Sequence, residues 1–468
     1  MALNTKLHLP GAVSSSLPFY ATQRSEPSRW RHAITLAAVL MVAYVAPTGQ
    51  QLQTSLSSTV DHLRWLLTPL PKDPHARARA LLRKSPIIDS HIDLGILVRE
   101  KYQNQPQRVD LASPEFYGHV TIPALKKGLV GGFAWSVYVA CPEDSDWPAD
   151  NTGNFSQPSF RVRDTLEQFD ISKILIDKYP ETFKLVKTEK EWRQAAREGK
   201  VASFFGVEGG HQLGASLSTL RLYYELGARY VTLTHTCNSP LADTCGYEGS
   251  PVPKRWGGLS PFGELAIKEM NRLGMMVDVS HTSPESASQA LSLSKAPVIF
   301  SHSNARAVHR HVRNVPDHIL ARFSRIGKAD SDIPGGDAII MLNFSPDFVS
   351  EIGETGGVRA NISLLADHAD HIKRVAGAQY VGIGSDFDGI LKTPVGLENV
   401  SKYPDFIAEL IQRGWTDDEV RGVASENWLR VWRKVEAVKY ALRHEKPYTD
   451  IFEPRLDGDM KPRWPGDQ

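Results

Sequence analysis

Eight short apolar runs, spaced along the chain with longer helical stretches between them, constrain this sequence more than any other feature. They are Ile87–Ile88, Phe133–Ala140, Phe204–Val207, Tyr230–Leu233, Met275–Val279, Val298–Phe300, Ile339–Leu342 and Tyr380–Ile383. Each run is continuous rather than alternating. That is the pattern of parallel strands covered on both faces, and strands alternating with helices read as βαβ units. Between them, Ser260-Pro261 opens a segment with Leu265, Ile267 and Met270 that stops at Gly274, a capped helix with a C-terminal glycine. Thr282-Ser-Pro-Glu285 reads as a capping box with proline in the first turn. Eight such units predict an α/β fold, a (β/α)8 TIM barrel. A doubly wound open sheet is the alternative, because counting strands does not prove closure.

The residues that follow these runs share one chemistry. The first ends in Asp89-Ser-His91-Ile-Asp93, the third in Glu208, the fourth in His235, the fifth in His281, the sixth in His302 and the eighth in Asp386-Phe-Asp388. In a TIM barrel the active site lies at the C-terminal ends of the strands, so these side chains are expected to meet at one mouth. His91 and Asp93, two apart on an extended segment, share a face. Glu208 has two oxygens and can bridge two cations; His281 and His302, from adjacent strands, can hold the second. Such nitrogen and oxygen ligands suit zinc, with manganese or cobalt not excluded by the donor set. His309, His311, His318, His368 and His371 follow no strand end and read as surface or helix residues.

Bulk properties bound the rest. The 468 residues carry a net charge of +1, without the basic surplus of a nucleic-acid binder. The cysteines are Cys141, Cys237 and Cys245; one bridge and one free thiol are allowed, and the absence of a Cys-x-x-Cys pair argues against a cysteine zinc site. Residues 1–32 read as an N-terminal tail. Ala33 to Ala46 form an apolar run ended by Pro47, with Arg24, Arg29 and Arg31 before it. It is short against the ~20 residues of a spanning helix and suits a signal-peptide core or a short signal anchor. The arginines put the tail in the cytosol and the remainder in the lumen or outside. A stalk follows over 48–75, the barrel domain over 76–445 and a C-terminal tail over 446–468 that lacks the apolar end of a lipid-anchor signal. Asn-x-Ser triplets at Asn154, Asn343, Asn361 and Asn399 are candidate glycosylation acceptors. The polar stretch Ser324 to Asp337 reads as an exposed loop insertion between the sixth and seventh strands.

The segments "IIDSHIDL", "FAWSVYVAC", "FFGVEGGHQLG", "LRLYYELGARYVTLTHTCNSPLAD", "GLSPFGELAIKEMNRLGMMVDVSH", "APVIFSHSNARAVHRHVRNVPD" and "VGIGSDFDG" carry a resemblance. Over about residues 75 to 440 the chain resembles the renal, or membrane, dipeptidase family of binuclear zinc peptidases. The resemblance implies two zinc ions, a metal-bridged hydroxide and dipeptide substrates with a free C-terminal carboxylate. It implies His91 and Asp93 as ligands of the first zinc, Glu208 as the bridge, and His281 and His302 as ligands of the second. By the same likeness His235 contacts the reacting centre, Arg313 grips the substrate carboxylate and Asp386 handles the proton. It also implies a disulfide between Cys141 and Cys237, leaving Cys245 unpaired, and it allows a homodimer. Some relatives trim a Cys-Gly conjugate in secondary metabolism, which is the nearest alternative. Beyond Asn343-Phe344 the chain reads Ser-Pro-Asp-Phe348 where some relatives have a tyrosine facing the substrate, and that role is not carried over. Lactonases, phosphotriesterases and deaminases on this barrel often use His-x-His on the first strand and a modified lysine bridge; His91-x-Asp93 and Glu208 argue against them. A barrel serving only as a receptor or scaffold is disfavoured because each expected ligand and the acid are present.

Overall fold

The computed structural model describes residues 69–141, 160–247, 250–323, 336–351 and 359–452. The apolar run at Ala33 to Ala46, Asn154 and residues 324–335 lie outside the described residues. Among the described residues no helix is long and apolar enough to cross a membrane; the expected N-terminal anchor is not among them.

The strands are β1 (Ile87–Ile92), β2 (Val130–Val137), β3 (Phe183–Leu185), β4 (Val201–Glu208), β5 (Ala228–Thr232), β6 (Met276–Asp278), β7 (Val298–Phe300), β8 (Ala338–Leu342) and β9 (Val381–Ile383). All neighbours pair in parallel, in the order β2-β1-β9-β8-β7-β6-β5-β4, and β2 pairs again with β4 from Gly132↔Ala202 to Val137↔Val207. That last pairing closes the barrel and removes the open-sheet alternative. The eight apolar runs are its eight staves. The strand not expected is β3. It pairs Phe183–Leu185 with Val201–Ser203, the first half of β4, while β5 takes up pairing from Phe205 onward. With three residues, one of them lysine, it gives too short an apolar signal to be read in sequence.

Every residue of the eight staves is buried. Outward residues pack on the helices in one large cluster; inward ones such as Ile88, Phe204, Tyr230, Met276 and Met341 form a second. The helix Asn427–Ala441 joins the inward cluster through Trp428 and Trp432, whose rings stand 5.8 and 5.0 Å from Phe204. Burying such rings contributes roughly 1.5–3 kcal/mol each, so the barrel is filled beneath its mouth rather than hollow.

The helix Pro261–Leu273 starts and stops as its sequence predicts: Ser260 accepts from the Gly263 N–H and Gly274 ends it at φ +79°. Pro284–Leu293 begins one residue later than the capping-box reading. Its N-cap is Ser283, and the Thr282 hydroxyl turns back to donate to the Val279 carbonyl. Asp337, expected in an exposed loop, is buried and accepts from Arg430 and Lys434 at 2.6 to 2.8 Å, which ties the start of β8 to the last helix.

Candidate metal centre

Each side chain singled out at a strand end lies at the C-terminal mouth of the barrel. His91 stands within β1 and Asp93 just beyond it; Glu208 closes β4. His235, His281, His302 and Asp386 follow β5, β6, β7 and β9 within three residues. Glu208 is the hub. Its Oε2 is 3.5 Å from His91 Nε2, and its Oε1 is 3.1 Å from His281 Nε2, 3.3 Å from His302 Nε2 and 3.8 Å from His235 Nε2. His91 Nε2 is also 3.3 Å from Asp93 Oδ2. Candidate ligand atoms lie within 4.8 Å of one another in three overlapping sets: His91, Glu208 and His302; Glu208, His235 and His281; His91, Asp93 and Asp386.

Hydrogen bonding behind this cluster decides which atoms face its centre. The Tyr230 hydroxyl donates to the Ser90 carbonyl at 2.9 Å, so it accepts from His91 Nδ1 at 3.0 Å. This assigns the His91 proton to Nδ1 and leaves a lone pair on Nε2. A Cβ at Gly206 would overlap the Tyr230 ring, so glycine there lets the ring lie across the barrel. On β7 the Ser301 hydroxyl donates to Asp278 at 2.6 Å and accepts from His302 Nδ1 at 2.8 Å, which frees His302 Nε2 in the same way. His302 Nε2 and His281 Nε2 then stand 2.9 Å apart. Buried His91 Nε2 and Asp93 Oδ1 have no hydrogen-bond partner. A buried convergence of acceptors with so few donors is costly, and bound cations are what would satisfy it. The residues therefore fit a metal, and the mixed nitrogen and oxygen donor set fits zinc.

The described chain matches the model of one protein family, Membrane dipeptidase (Peptidase family M19), over residues 75–446. The chain belongs to that family. It is accordingly a metallo-dipeptidase, a hydrolase acting on dipeptide bonds. Solved structures agree. A metallo peptidase from Rhodobacter sphaeroides, liganded with a phosphinate mimic of the dipeptide L-Ala-D-Ala, is 26% identical; the match covers 75% of this chain and 99% of that one, with a TM-score of 0.61. The probable dipeptidase PvdM from Pseudomonas aeruginosa is 22% identical over 79% of this chain and 100% of its own, with a TM-score of 0.65, a likeness of fold.

Around the cluster of this enzyme sit three further groups. Asp386 is held at φ +67°, with its N–H donating to the His91 carbonyl at 3.0 Å. Burial and the neighbouring Asp93 push its carboxyl well above the usual carboxylate range. Asn343 Nδ2 donates to Asp386 Oδ2 at 2.9 Å and fixes that oxygen. His281, at φ +64°, and Asp388, at φ +68°, are also left-handed. Such conformations cost roughly 1–3 kcal/mol each and gather where side chains must be aimed. His235 is the most exposed histidine of the group; its ring stands 4.7 Å from Tyr138 and 4.2 Å from His281, and burial lowers its pKa well below the usual histidine value. Arg313 is buried in the loop after β7. Its Nη2 donates to the His302 carbonyl at 3.3 Å, while Nε and Nη1 have no partner. Its guanidinium lies 5.2 Å from the Phe348 ring centre and borders a cavity with Cys245, His281, Thr282 and Ser303.

Several expectations need correction. Asn343 is fully buried and bonded to Asp386, so it is no glycosylation acceptor. Asn361 and Asn399 accept from backbone N–H groups as helix caps. His311 is neither on a helix nor on the surface: it packs 4.5 Å from Phe348 and accepts the Arg313 N–H. Cys141 and Cys237 are joined by a disulfide, as the resemblance implied, and Cys245 is free. The residues not read from sequence are Tyr138, Tyr230, Ser301, Asp278 and Asn343. Asn343 had a usable signal, since it directly follows the seventh apolar run. Tyr230 lies inside β5 and Asp278 ends β6 within an apolar run; each acts through another residue, which no local pattern records.

Proposed function

We propose that the enzyme hydrolyses dipeptides with two zinc ions, one held by His91 and Asp93, the other by His281 and His302, with Glu208 shared between them. The observation that carries this reading is the position of Glu208, with one oxygen toward His91 and the other toward His281. The chemistry zinc supplies at such a set is Lewis acidity, which polarises a carbonyl and brings the pKa of water toward ~7.

The chain's own residues supply the rest. Asp386 takes a proton from the attacking water and returns one to the leaving amine; the Asn343 bond leaves its Oδ1 available for that traffic. His235 Nδ1 stands 3.2 Å from the Thr236 hydroxyl. With Nδ1 accepting there, Nε2 carries the proton and donates to the oxygen that becomes negative, an interaction typically worth ~2.7–4 kcal/mol. Arg313, with two unpartnered donors, binds the free carboxylate of the second residue. Substrates longer by one residue place no carboxylate there, which supports a dipeptide length limit. We also propose that this domain works in an oxidising compartment, lumenal or extracellular; the Cys141–Cys237 bridge supports it, since such bonds are rare in reducing cytosol.

The test is metal analysis of the purified enzyme beside an assay of free dipeptides, C-terminally amidated dipeptides and a lactone. Two zinc equivalents, preference for free dipeptides, and loss of activity on chelation with recovery on zinc addition are expected. Full dipeptide turnover after metal removal would overturn the reading.

A further inference from the structure

The Cys141–Cys237 bridge does more than tie two loops together. Cys141 follows β2, Cys237 follows β5, and His211 lies in the short turn Gly210–Leu213 after β4. These are three successive staves on one side of the mouth. One ligand atom from each of Cys141, His211 and Cys237 lies within 4.8 Å of the other two. His211 is 5% exposed. Its Nε2 is 2.7 Å from the Val139 carbonyl, which can only accept, so the ring proton resides there. Its Nδ1 keeps a buried lone pair with no partner among the described residues. A buried acceptor left unpaired is costly, and it needs an explanation that the dipeptide centre does not provide.

We propose that the bridge masks a second, sulfur-containing metal site, which two-electron reduction opens to a soft divalent cation such as zinc or cadmium. Two thiolates and one neutral imidazole form a three-ligand set of the kind zinc takes, with one position left over. Zinc–sulfur and zinc–nitrogen bonds of ~2.3 and ~2.0–2.1 Å put tetrahedral ligand atoms roughly 3.3–3.8 Å apart. The sulfurs must therefore separate once their bond is broken, and an imidazole nitrogen that starts within 4.8 Å of them has up to about 1.3 Å to close. Both cysteines are half-buried, so a reductant can reach them. The site shares no residue with His91, Asp93, Glu208, His281 or His302. It adjoins the catalytic mouth through His235, whose Nδ1 is 3.9 Å from Cys141 Sγ.

A dithiol reductant attacks the bridge by exchange, delivers two electrons and two protons, and leaves as its own disulfide. The cation then displaces the two thiol protons into solvent.

The full-length, zinc-loaded enzyme is treated with a trialkylphosphine, which with water yields two protein thiols and the phosphine oxide. It is freed of reagent and titrated with cadmium. Bound metal per chain and near-ultraviolet thiolate-to-cadmium absorption are read together. The expected result is one further equivalent, with that absorption, in the reduced enzyme alone. Untreated enzyme retains the Cys245 thiol and so controls for it; reduced enzyme alkylated with iodoacetamide controls for reduction itself without a substitution. His211→Asn should weaken the added equivalent at least about tenfold, the loss that even an outer-sphere partner brings. No further equivalent after reduction, an equal one after alkylation, or unchanged affinity in His211→Asn would overturn the proposal.

Discussion

His91 Nδ1 and the Tyr230 hydroxyl are 3.0 Å apart, and Tyr230 passes the bond on to the Ser90 carbonyl at 2.9 Å. The tyrosine thereby orients a histidine on another strand and holds its proton away from the cluster. Tyr230→Phe should fold and lose metal affinity by about 10- to 100-fold, as outer-sphere partners of metal histidines do. Competition with a chelator of known affinity checks it; an unchanged affinity would show that packing alone orients His91.

Asp386 is the acid in the proposed chemistry. Asp386→Asn preserves the shape and the bond network around Asn343. It should retain the full metal content and lose roughly 10²- to 10⁴-fold in kcat, the usual contribution of a positioned acid–base group. Metal analysis and steady-state assays on one preparation separate the two roles. Lost metal would make Asp386 a ligand rather than a proton carrier.

Arg313 presents unpartnered donors beside the cluster and stacks near Phe348. Lysine has the charge without the planar fork. Arg313→Lys should raise KM for free dipeptides by about tenfold, or ~1.4 kcal/mol, and leave C-terminally amidated substrates nearly unaffected. Equal effects on both would remove the carboxylate-reading role.

Glu269 tests stability away from the site. Its side chain is buried and accepts from Arg221 and Arg272 at 2.7 to 3.1 Å, and from the Tyr448 N–H at 3.3 Å. Burial pushes its pKa up, but the two guanidinium bonds prevail and the carboxyl sits below the ordinary glutamate value. A depressed folded-state pKa means stability that is present above about pH 4.3, the unfolded value, and lost as pH falls through the folded one. Glu269→Gln should cost about 1.5 kcal/mol at neutral pH, the low end for hydrogen bonds to a charged group, and the cost should shrink on acidification. Denaturant unfolding of both proteins from neutral pH downward measures it.

Much of this was legible in the chain. Continuous apolar runs announce doubly covered strands, because a parallel stave is buried on both faces. Ligand-type residues after six of those runs announce the mouth, because strand ends of one barrel open to one side. The short strand Phe183–Leu185 escaped since its pairing with Val201–Ser203 rests on backbone bonds rather than on side-chain pattern. The misreading of Asn343 has a similar cause: an Asn-Phe-Ser triplet looks alike whether it faces water or Asp386.

Read along the chain alone, the residues specify the eight staves, their order and the chemical types at the strand ends. Those depend on local hydrophobicity and residue identity, which a linear string records. Folding alone makes β2 meet β4 to close the barrel, brings Tyr230 across to His91, and sets Glu208 between His91 and His281. Those relationships join residues far apart in sequence, through distances and bond directions that exist only once the chain has packed.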